Sequence, residues 1–219
     1  MSLRPTVAPP GPLLPGPWRT AVAVLVPLCV LGTAALGWWY GGTREAGRLD
    51  TVLGAPLTAL AAGREDAFWP LADLGSPPAL LLALVVLAVS VGRGRWPRLA
   101  LAMGGPLLAV VLAEFVLKPL VGRTHDGGLS LPSGHTTSIT SLAWVFVVLF
   151  VAGGPPRPAW LRVLLTGVAG AAVVAVGGSM VALERHYATD TLAGALLGTA
   201  VVGALAWVLD LRSRTDAGG

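Results

Sequence analysis

The chain has 219 residues, of which 54% are hydrophobic and only 12% are charged, and its mean hydropathy is +0.75. A soluble domain of this length needs a more polar surface, so the composition excludes a soluble fold and indicates an integral membrane protein. The net charge of +4 comes from arginines scattered between apolar segments. This scatter argues against binding to nucleic acid and favours orientation signals and contact with anionic lipid headgroups.

Six apolar segments follow one another along the chain, and each is continuous rather than alternating. Continuous runs predict transmembrane helices, because the strands of a membrane barrel would alternate between polar and apolar residues. The second segment is short for a span, which takes roughly 20 residues. We therefore predict an all-α bundle of six transmembrane helices in one membrane domain, residues 21–211. The six segments are 21–40, 78–91, 99–117, 136–151, 161–183 and 191–209.

Arginines mark the ends of these segments that are expected to face the cytoplasm. They precede the first segment, separate the second from the third and the fourth from the fifth, and follow the sixth. Residues 41–77 lack this basic excess and are expected outside. The pattern predicts a multi-pass plasma-membrane protein with both termini in the cytoplasm, as a disordered tail at residues 1–20 and a short tail at 212–219. The arginines are Arg4, Arg19, Arg93, Arg95, Arg98, Arg157, Arg162, Arg212 and Arg214.

Two short polar stretches, residues 118–135 and 184–190, contain all three histidines and the single lysine of the chain. The first stretch lies between the third and fourth apolar segments and the second between the fifth and sixth. In a six-span topology both stretches therefore reach the same, outer face of the membrane. The chemistry of the protein is expected at that face.

The first stretch ends in the sequence Pro-Ser-Gly-His, directly before the fourth apolar segment. Ser133 is a good helix N-cap, and Gly134 lets a ligand approach the backbone closely. Free amides at a helix N-terminus, with Lys118 and Arg123 nearby, suit an anion such as phosphate. Taken alone, Pro-Ser-Gly also fits an ordinary turn and cap, and Lys118 also fits a lysine that snorkels from a helix end.

In the second stretch, His186 and Asp190 are four residues apart and share a face if the sixth span begins there. A carboxylate bound to one imidazole nitrogen sets the tautomer and leaves the other nitrogen free to act as a base or nucleophile. With His135 expected across the same anion site, the pair indicates a catalytic role.

These residues resemble the sequence segments of the type 2 phosphatidic acid phosphatase superfamily, in its bacterial integral-membrane branch. That family has K-x6-R-P, P-S-G-H and S-R-x5-H-x3-D segments in this order. The chain has P-S-G-H intact at residues 132–135 and H-x3-D intact at residues 186–190. Both segments lie in the expected loops, so the resemblance extends from the first span to the sixth.

Two arginines of the family pattern are missing from this chain. With Lys118 aligned to the family lysine, His125 stands at the first arginine position. With His186 aligned to the family histidine, Met180 stands at the second. We hypothesise that one or both of Arg123 and Arg185, which are close to these positions in sequence, supply the missing charge.

The resemblance implies a lipid phosphate phosphatase that works without a metal or another cofactor. His186 would attack phosphorus to form a phosphohistidine, Asp190 would orient its ring, and His135 would serve as general acid and then as general base. The substrate would be a membrane lipid such as phosphatidate, phosphatidylglycerol phosphate or a polyprenyl phosphate. The residues expected to hold its phosphate are Lys118, Arg123, His125, Ser133, Gly134 and Arg185.

Three alternatives stay open at this point. A metal-dependent hydrolase could draw on the histidines together with Asp126 and Asp190, although no H-x-x-x-H pair is present. A non-catalytic lipid-binding or transport protein could keep the same loops. Transporters place ionisable groups near the bilayer midplane, whereas here Glu114 is the exception in almost uncharged spans and is expected to pair with Lys118. A serine hydrolase using Ser133 would lack a nucleophile elbow. The oligomeric state is not predicted.

Overall fold

The computed structural model describes residues 12–91, 96–154 and 157–215, and most of them are helical. Two helices pass directly into π-helical segments, and one short hairpin interrupts the helical order. The α-helices are α1 Gly16–Tyr40, α2 Arg48–Ala61, α3 Trp69–Asp73, α4 Pro77–Val91, α5 Trp96–Val111, α6 Lys118–Val121, α7 Gly134–Phe146, α8 Ala159–Ala182 and α9 Ala188–Thr215. The π segments are Leu112–Leu117 and Val147–Ala152, and the hairpin strands are β1 Thr124–His125 and β2 Gly128–Leu129.

Five helical segments in the described ranges are long and apolar enough to cross a membrane. A sixth crossing is formed if residues 65–73 and α4 count as one span, because the two pieces are bent by 42° at a short break. This bent pair contains the apolar segment that was the shortest of the six in the sequence. The predicted all-α membrane bundle is therefore confirmed, with five or six spans.

Helix α9 lies at the centre of the bundle and packs against α1, α5, α7 and α8. Leu101, Val145 and Val202 meet in its fully buried core. Many large side chains on the outside are also apolar, among them Trp38 and Phe115, which are 88% and 75% exposed. Such a surface would be unfavourable in water and is suited to contact with lipid hydrocarbon.

Gly194 and Gly198 lie where α9 meets the first half of α7. A Cβ atom added at Gly194 would stand 2.6 Å from the backbone oxygen of Ser133, and one at Gly198 would stand 3.0 Å from that of Thr137. The G-x-x-x-G pattern in the sequence thus corresponds to a close helix contact. This contact brings the start of α7 next to the start of α9, where the second polar stretch ends.

The segment before α1 is held against the last turns of α9. The backbone amides of Leu13 and Leu14 donate hydrogen bonds to the two carboxylate oxygens of Asp210 at 2.7 and 2.9 Å, and all three residues are buried. The prediction of a disordered tail through residue 20 is therefore wrong for residues 12–20, because α1 already begins at Gly16. The many prolines and glycines at the start of the sequence indicated disorder and gave no sign of the contact with Asp210. Residues 1–11 and 216–219 lie outside the described residues, as do Arg93 and Arg95.

Residues 41–77 contain helices that hydropathy alone did not reveal. Helix α2 packs against α8 and the start of α9, and a 3-10 turn at Glu65–Ala67 leads into α3. Charged residues interrupt the apolar pattern of this region, so no helix was expected there. Helix α3 matters because Trp69, Ala72 and Asp73 form part of the wall of the candidate site.

Candidate active site

A cavity of about 460 Å³ with several charged and imidazole side chains in its lining opens at the end of the bundle where α7 and α9 begin. Its walls come from α3 and α4, the end of α5 with its π segment, the start of α7, and the turn between α8 and α9. The two polar stretches, far apart in sequence, meet here. Sequence-predicted residues that line the cavity are Lys118, Gly134, His135, Arg185 and His186, and further lining residues include Trp69, Asp73, Glu114 and Met180.

The start of α7 places His135 at the cavity. The backbone amide of Thr136 donates to the Ser133 hydroxyl at 3.5 Å, so Ser133 is the N-cap that the sequence predicted. The amide of Ser133 in turn donates to the backbone oxygen of Asp190 at 2.9 Å, which joins the starts of α7 and α9. Ser133 is fully buried and does not line the cavity. In this structure Ser133 therefore caps α7, and it is not among the residues at the cavity where it was predicted to contact phosphate.

His186 stands next to Asp190 across the first turn of α9. Its Nδ1 atom lies 3.5 Å from Oδ2 of Asp190, while the same carboxylate oxygen accepts the amide of Tyr187 at 3.1 Å. Nδ1 has no hydrogen bond within the residues that the structure describes, so this is an ion-pair distance rather than a formed bond. Asp190 is fully buried and His186 lines the cavity. The geometry is that of a carboxylate beside an imidazole, as the H-x3-D spacing predicted.

Arg123 does not reach the cavity. Gly122 ends α6 in a left-handed conformation with φ 66°, which glycine adopts without strain, and the chain then turns inward. The side chain of Arg123 is fully buried, and its Nη1 atom lies 2.7 Å from Oδ1 of Asp190. Its guanidinium carbon also lies 4.4 Å from the ring centre of Tyr40 and 4.2 Å from that of Tyr187. The structure therefore does not bring Arg123 to the cavity where it was predicted to bind phosphate, because ion pairing and ring packing hold it elsewhere.

Asp50 completes this buried cluster, and its place in the cluster was not predicted from the sequence. Its Oδ2 atom accepts Nη2 of Arg123 at 2.6 Å, and its Oδ1 atom accepts the amide and hydroxyl of Thr189 at 2.8 and 2.6 Å. Burial by itself would raise the pKa of Asp50, but the bonds from Thr189, Arg123 and Gly47 together lower it below its ordinary value. In the sequence Asp50 is one of several acidic residues between residues 41 and 77, and no local pattern distinguishes it from the others.

His125 lies in a neighbouring cavity of about 400 Å³, which shares His186 with the first. Its Nε2 atom lies 2.6 Å from the backbone oxygen of Glu184, and its ring packs edge-on against Tyr187 at 4.3 Å. The Asp-Gly turn between β1 and β2, a pattern typical of tight hairpins, carries it to this position. His125 is thus not among the residues of the candidate phosphate cavity, contrary to prediction.

Arg185 is the arginine that does line the cavity. The chain leaves α8 through Glu184, whose φ of 53° is left-handed, and the amides of Arg185 and His186 both donate to the backbone oxygen of Met180. This tight turn presents Arg185 beside Met180, the residue at the family's arginine position. A guanidinium group is thus present at the cavity although it comes from another place in the sequence.

Lys118 faces the cavity in an ion pair. Its Nζ atom lies 2.8 Å from Glu114, one turn earlier in the π segment, as the spacing predicted. Among the described residues no group of three or more His, Cys, Asp or Glu side chains could hold a metal ion.

The fold and the cavity define a multi-pass helical membrane protein with a histidine-lined site at one end of the bundle. The chain belongs to the PAP2 superfamily, whose family model matches residues 79–214. This match confirms the family that the P-S-G-H and H-x3-D segments indicated, and it supports a membrane phosphatase. The matched range includes both histidines of the cavity.

Among solved structures, the chain is similar to the crystal structure of the first transmembrane PAP2 type phosphatidylglycerolphosphate phosphatase from Bacillus subtilis. The two chains are 21% identical with a TM-score of 0.64, and the match covers 87% of this chain and 96% of the other. This likeness shows a shared fold. A search of curated proteins found no match.

Proposed function

We propose that the protein is a lipid phosphate phosphatase that hydrolyses a phosphomonoester or diphosphate of a lipid through a phosphohistidine intermediate. The observation that carries this proposal is the meeting of His135 and His186 at one cavity with Lys118 and Arg185. Two imidazoles and two permanent cations around one space suit a phosphoryl group, which needs a nucleophile, a proton donor and charge stabilisation.

In the first step, Nε2 of His186 attacks phosphorus, and a P–N bond forms as the P–O bond to the lipid breaks. His135 donates a proton to the leaving oxygen. In the second step, His135 takes a proton from water, which attacks phosphorus and breaks the P–N bond, so that inorganic phosphate leaves and the imidazole of His186 is restored. Asp190 supports the positive charge of the phosphorylated imidazole and keeps its ring in place.

Lys118, Arg185 and the first amides of α7 hold the phosphoryl oxygens in this scheme. The first N–H groups of a helix have no partner within the helix and carry partial positive charge, so the start of α7 at Gly134 is suited to an anion. Arg185 provides the guanidinium that the family pattern places at residue 180. Arg123 acts one step further away, through Asp190. The scheme uses no metal.

The substrate we propose is an amphiphile, since a cavity at the end of a membrane bundle lies at the level of lipid headgroups. The arginines near α1, α5 and α8 are at the end opposite to the cavity, and under the positive-inside rule this supports our proposal that the cavity opens at the outer face of the plasma membrane with both termini inside. Phosphatidate, phosphatidylglycerol phosphate and polyprenyl phosphates are the substrates to compare. The similar structure named above is a phosphatidylglycerolphosphate phosphatase, which puts that lipid first in the panel.

Phosphate release by the purified protein from this panel tests the proposal. We expect release that is abolished in His186→Ala, persists in EDTA and is blocked by vanadate. His125→Ala is the matched control, because that histidine lies in the neighbouring cavity, and it should keep most of the activity. Activity that is lost in EDTA would favour the metal-dependent alternative. Release that is absent from the native protein with every lipid would favour the non-catalytic alternative.

A further inference from the structure

Glu114 and Asp73 are the acidic residues among those that line the proposed phosphate cavity, and Glu114 is in direct contact with Lys118. Glu114 lies in the π segment Leu112–Leu117 that follows α5, and its side chain lines the cavity. Both of its carboxylate oxygens are 2.8 Å from Nζ of Lys118, and about a third of its side chain is exposed. The carboxylate of Glu114 is thus already paired with Lys118, the cation that a phosphoryl group would need.

The same carboxylate lies against the start of α7. A Cβ atom added at Gly134 would collide with Oε1 of Glu114, so the carboxylate is next to the backbone there. Ser133 satisfies the amides of Thr136 and Thr137, one with its hydroxyl and one with its backbone oxygen. The amides before them, at Gly134 and His135, are those left for an anion. Glu114 therefore stands between Lys118 and the helix end, where phosphoryl oxygens are expected.

The charges around the cavity balance without a substrate. Lys118 and Arg185 are its permanent cations, and Glu114 and Asp73 are its carboxylates among the lining residues. An incoming phosphate dianion meets repulsion from Glu114 and competes with it for Lys118. Binding of phosphate therefore requires that the carboxylate moves away from Lys118 and from the start of α7.

We propose that Glu114 is a specificity-determining residue that acts as a built-in competitor for the phosphate subsite. A lipid phosphate displaces the carboxylate because its remainder makes further contacts with the protein and the bilayer. Free inorganic phosphate has no such contacts and is held weakly, so the product leaves and does not block the site. This inference rests on the proposed function, and it assigns the discrimination between the lipid substrate and its inorganic product to one side chain.

The test is the affinity for inorganic phosphate and for vanadate of Glu114→Gln, which keeps the shape of the side chain and removes its charge. We expect both anions to bind about tenfold more tightly than to the native protein, read as inhibition of lipid phosphate turnover and as a rise in thermal stability. In Glu114→Gln the KM for the lipid should fall by a smaller factor than the inhibition constant for phosphate. Glu65→Gln is the matched control, because Glu65 is an exposed residue outside the cavity. The affinity of this control variant for phosphate should equal that of the native protein.

Unchanged or weaker binding of phosphate by a folded Glu114→Gln protein would overturn the inference, because it would mean that Glu114 only holds Lys118 in place. Glu114→Ala provides a second variant with the same expectation. The thermal readout needs no turnover, so it tests this inference separately from the proposed function. Native protein that hydrolyses lipid phosphate while Glu114→Gln shows no gain in phosphate affinity would leave the proposed function standing and remove the role of Glu114.

Discussion

Arg123 and Asp190 form an ion pair of 2.7 Å in which neither side chain is exposed. The other oxygen of the same carboxylate is 3.5 Å from Nδ1 of His186. Arg123 therefore contacts the candidate nucleophile only through Asp190. A second carboxylate, from Asp50, holds the other end of the guanidinium group. From these contacts we infer that Arg123 positions the histidine and does not bind phosphate directly.

Arg123→Lys is expected to lower kcat for a lipid phosphate about 100-fold with little change in KM, a loss typical of a group displaced by about 1 Å. A lysine lacks the planar fork of N–H donors that contacts Asp190 through one nitrogen and Asp50 through the other, and it lacks the planar group that lies near the rings of Tyr40 and Tyr187. Steady-state kinetics on the folded variant give the measurement. A raised KM with unchanged kcat would instead indicate that residue 123 binds the substrate.

Arg185→Ala should mainly weaken the binding of phosphate. A charge-assisted hydrogen bond contributes about 1.5–3 kcal/mol, which corresponds to a rise in KM of about tenfold or more. Arg157→Ala is the matched control, since Arg157 donates to the backbone oxygen of Phe150 at the opposite end of the bundle. Equal KM values for the two variants would contradict the assignment of Arg185 to the phosphate cavity.

The pKa of Asp50 predicts how stability depends on pH. Because the native pKa is below the ordinary value of about 3.9, the carboxylate stabilises the fold above that value and loses this effect as the pH falls through the lower native pKa. The native protein should therefore be more stable than Asp50→Asn at pH 7, and the difference should narrow below about pH 4.

Thermal unfolding in detergent across this pH range measures the difference, with Asp66→Asn as the control at an exposed aspartate. A gap between the native protein and Asp50→Asn that stays constant from pH 7 to strongly acidic pH would show that the charge of Asp50 is not what stabilises the cluster.

Gly194→Ala should lower both stability and activity. The added methyl group would press on the backbone oxygen of Ser133, and overpacking of this kind costs about 1–3 kcal/mol. It would also separate the starts of α7 and α9, which carry His135 and Asp190. Gly170→Ala in α8 is the control, because a Cβ there meets nothing within 4 Å, and it should leave the melting temperature unchanged. The same loss in both variants would point to a general intolerance of alanine.

The spans could be located from the sequence. His135, His186 and Asp190 could also be selected from it as candidate site residues. Hydropathy is a local property of about 20 consecutive residues, so it revealed each long span without knowledge of its neighbours. The helix cap at Ser133 and the spacing of His186 and Asp190 are equally local, since each depends on residues within one turn of helix. Local patterns therefore sufficed for the fold class and for the two histidines.

Only the tertiary structure decided what the remaining polar residues do. Arg123 and Arg185 were equivalent in the sequence, yet one is enclosed by Asp50 and Asp190 and the other lines the cavity. Glu114 was expected only as a partner of Lys118, and its contact with the start of α7 was not predicted. The electrostatic environment of a charged group depends on which distant groups surround it and on how far water is excluded, and neither is a property of neighbouring residues along the chain.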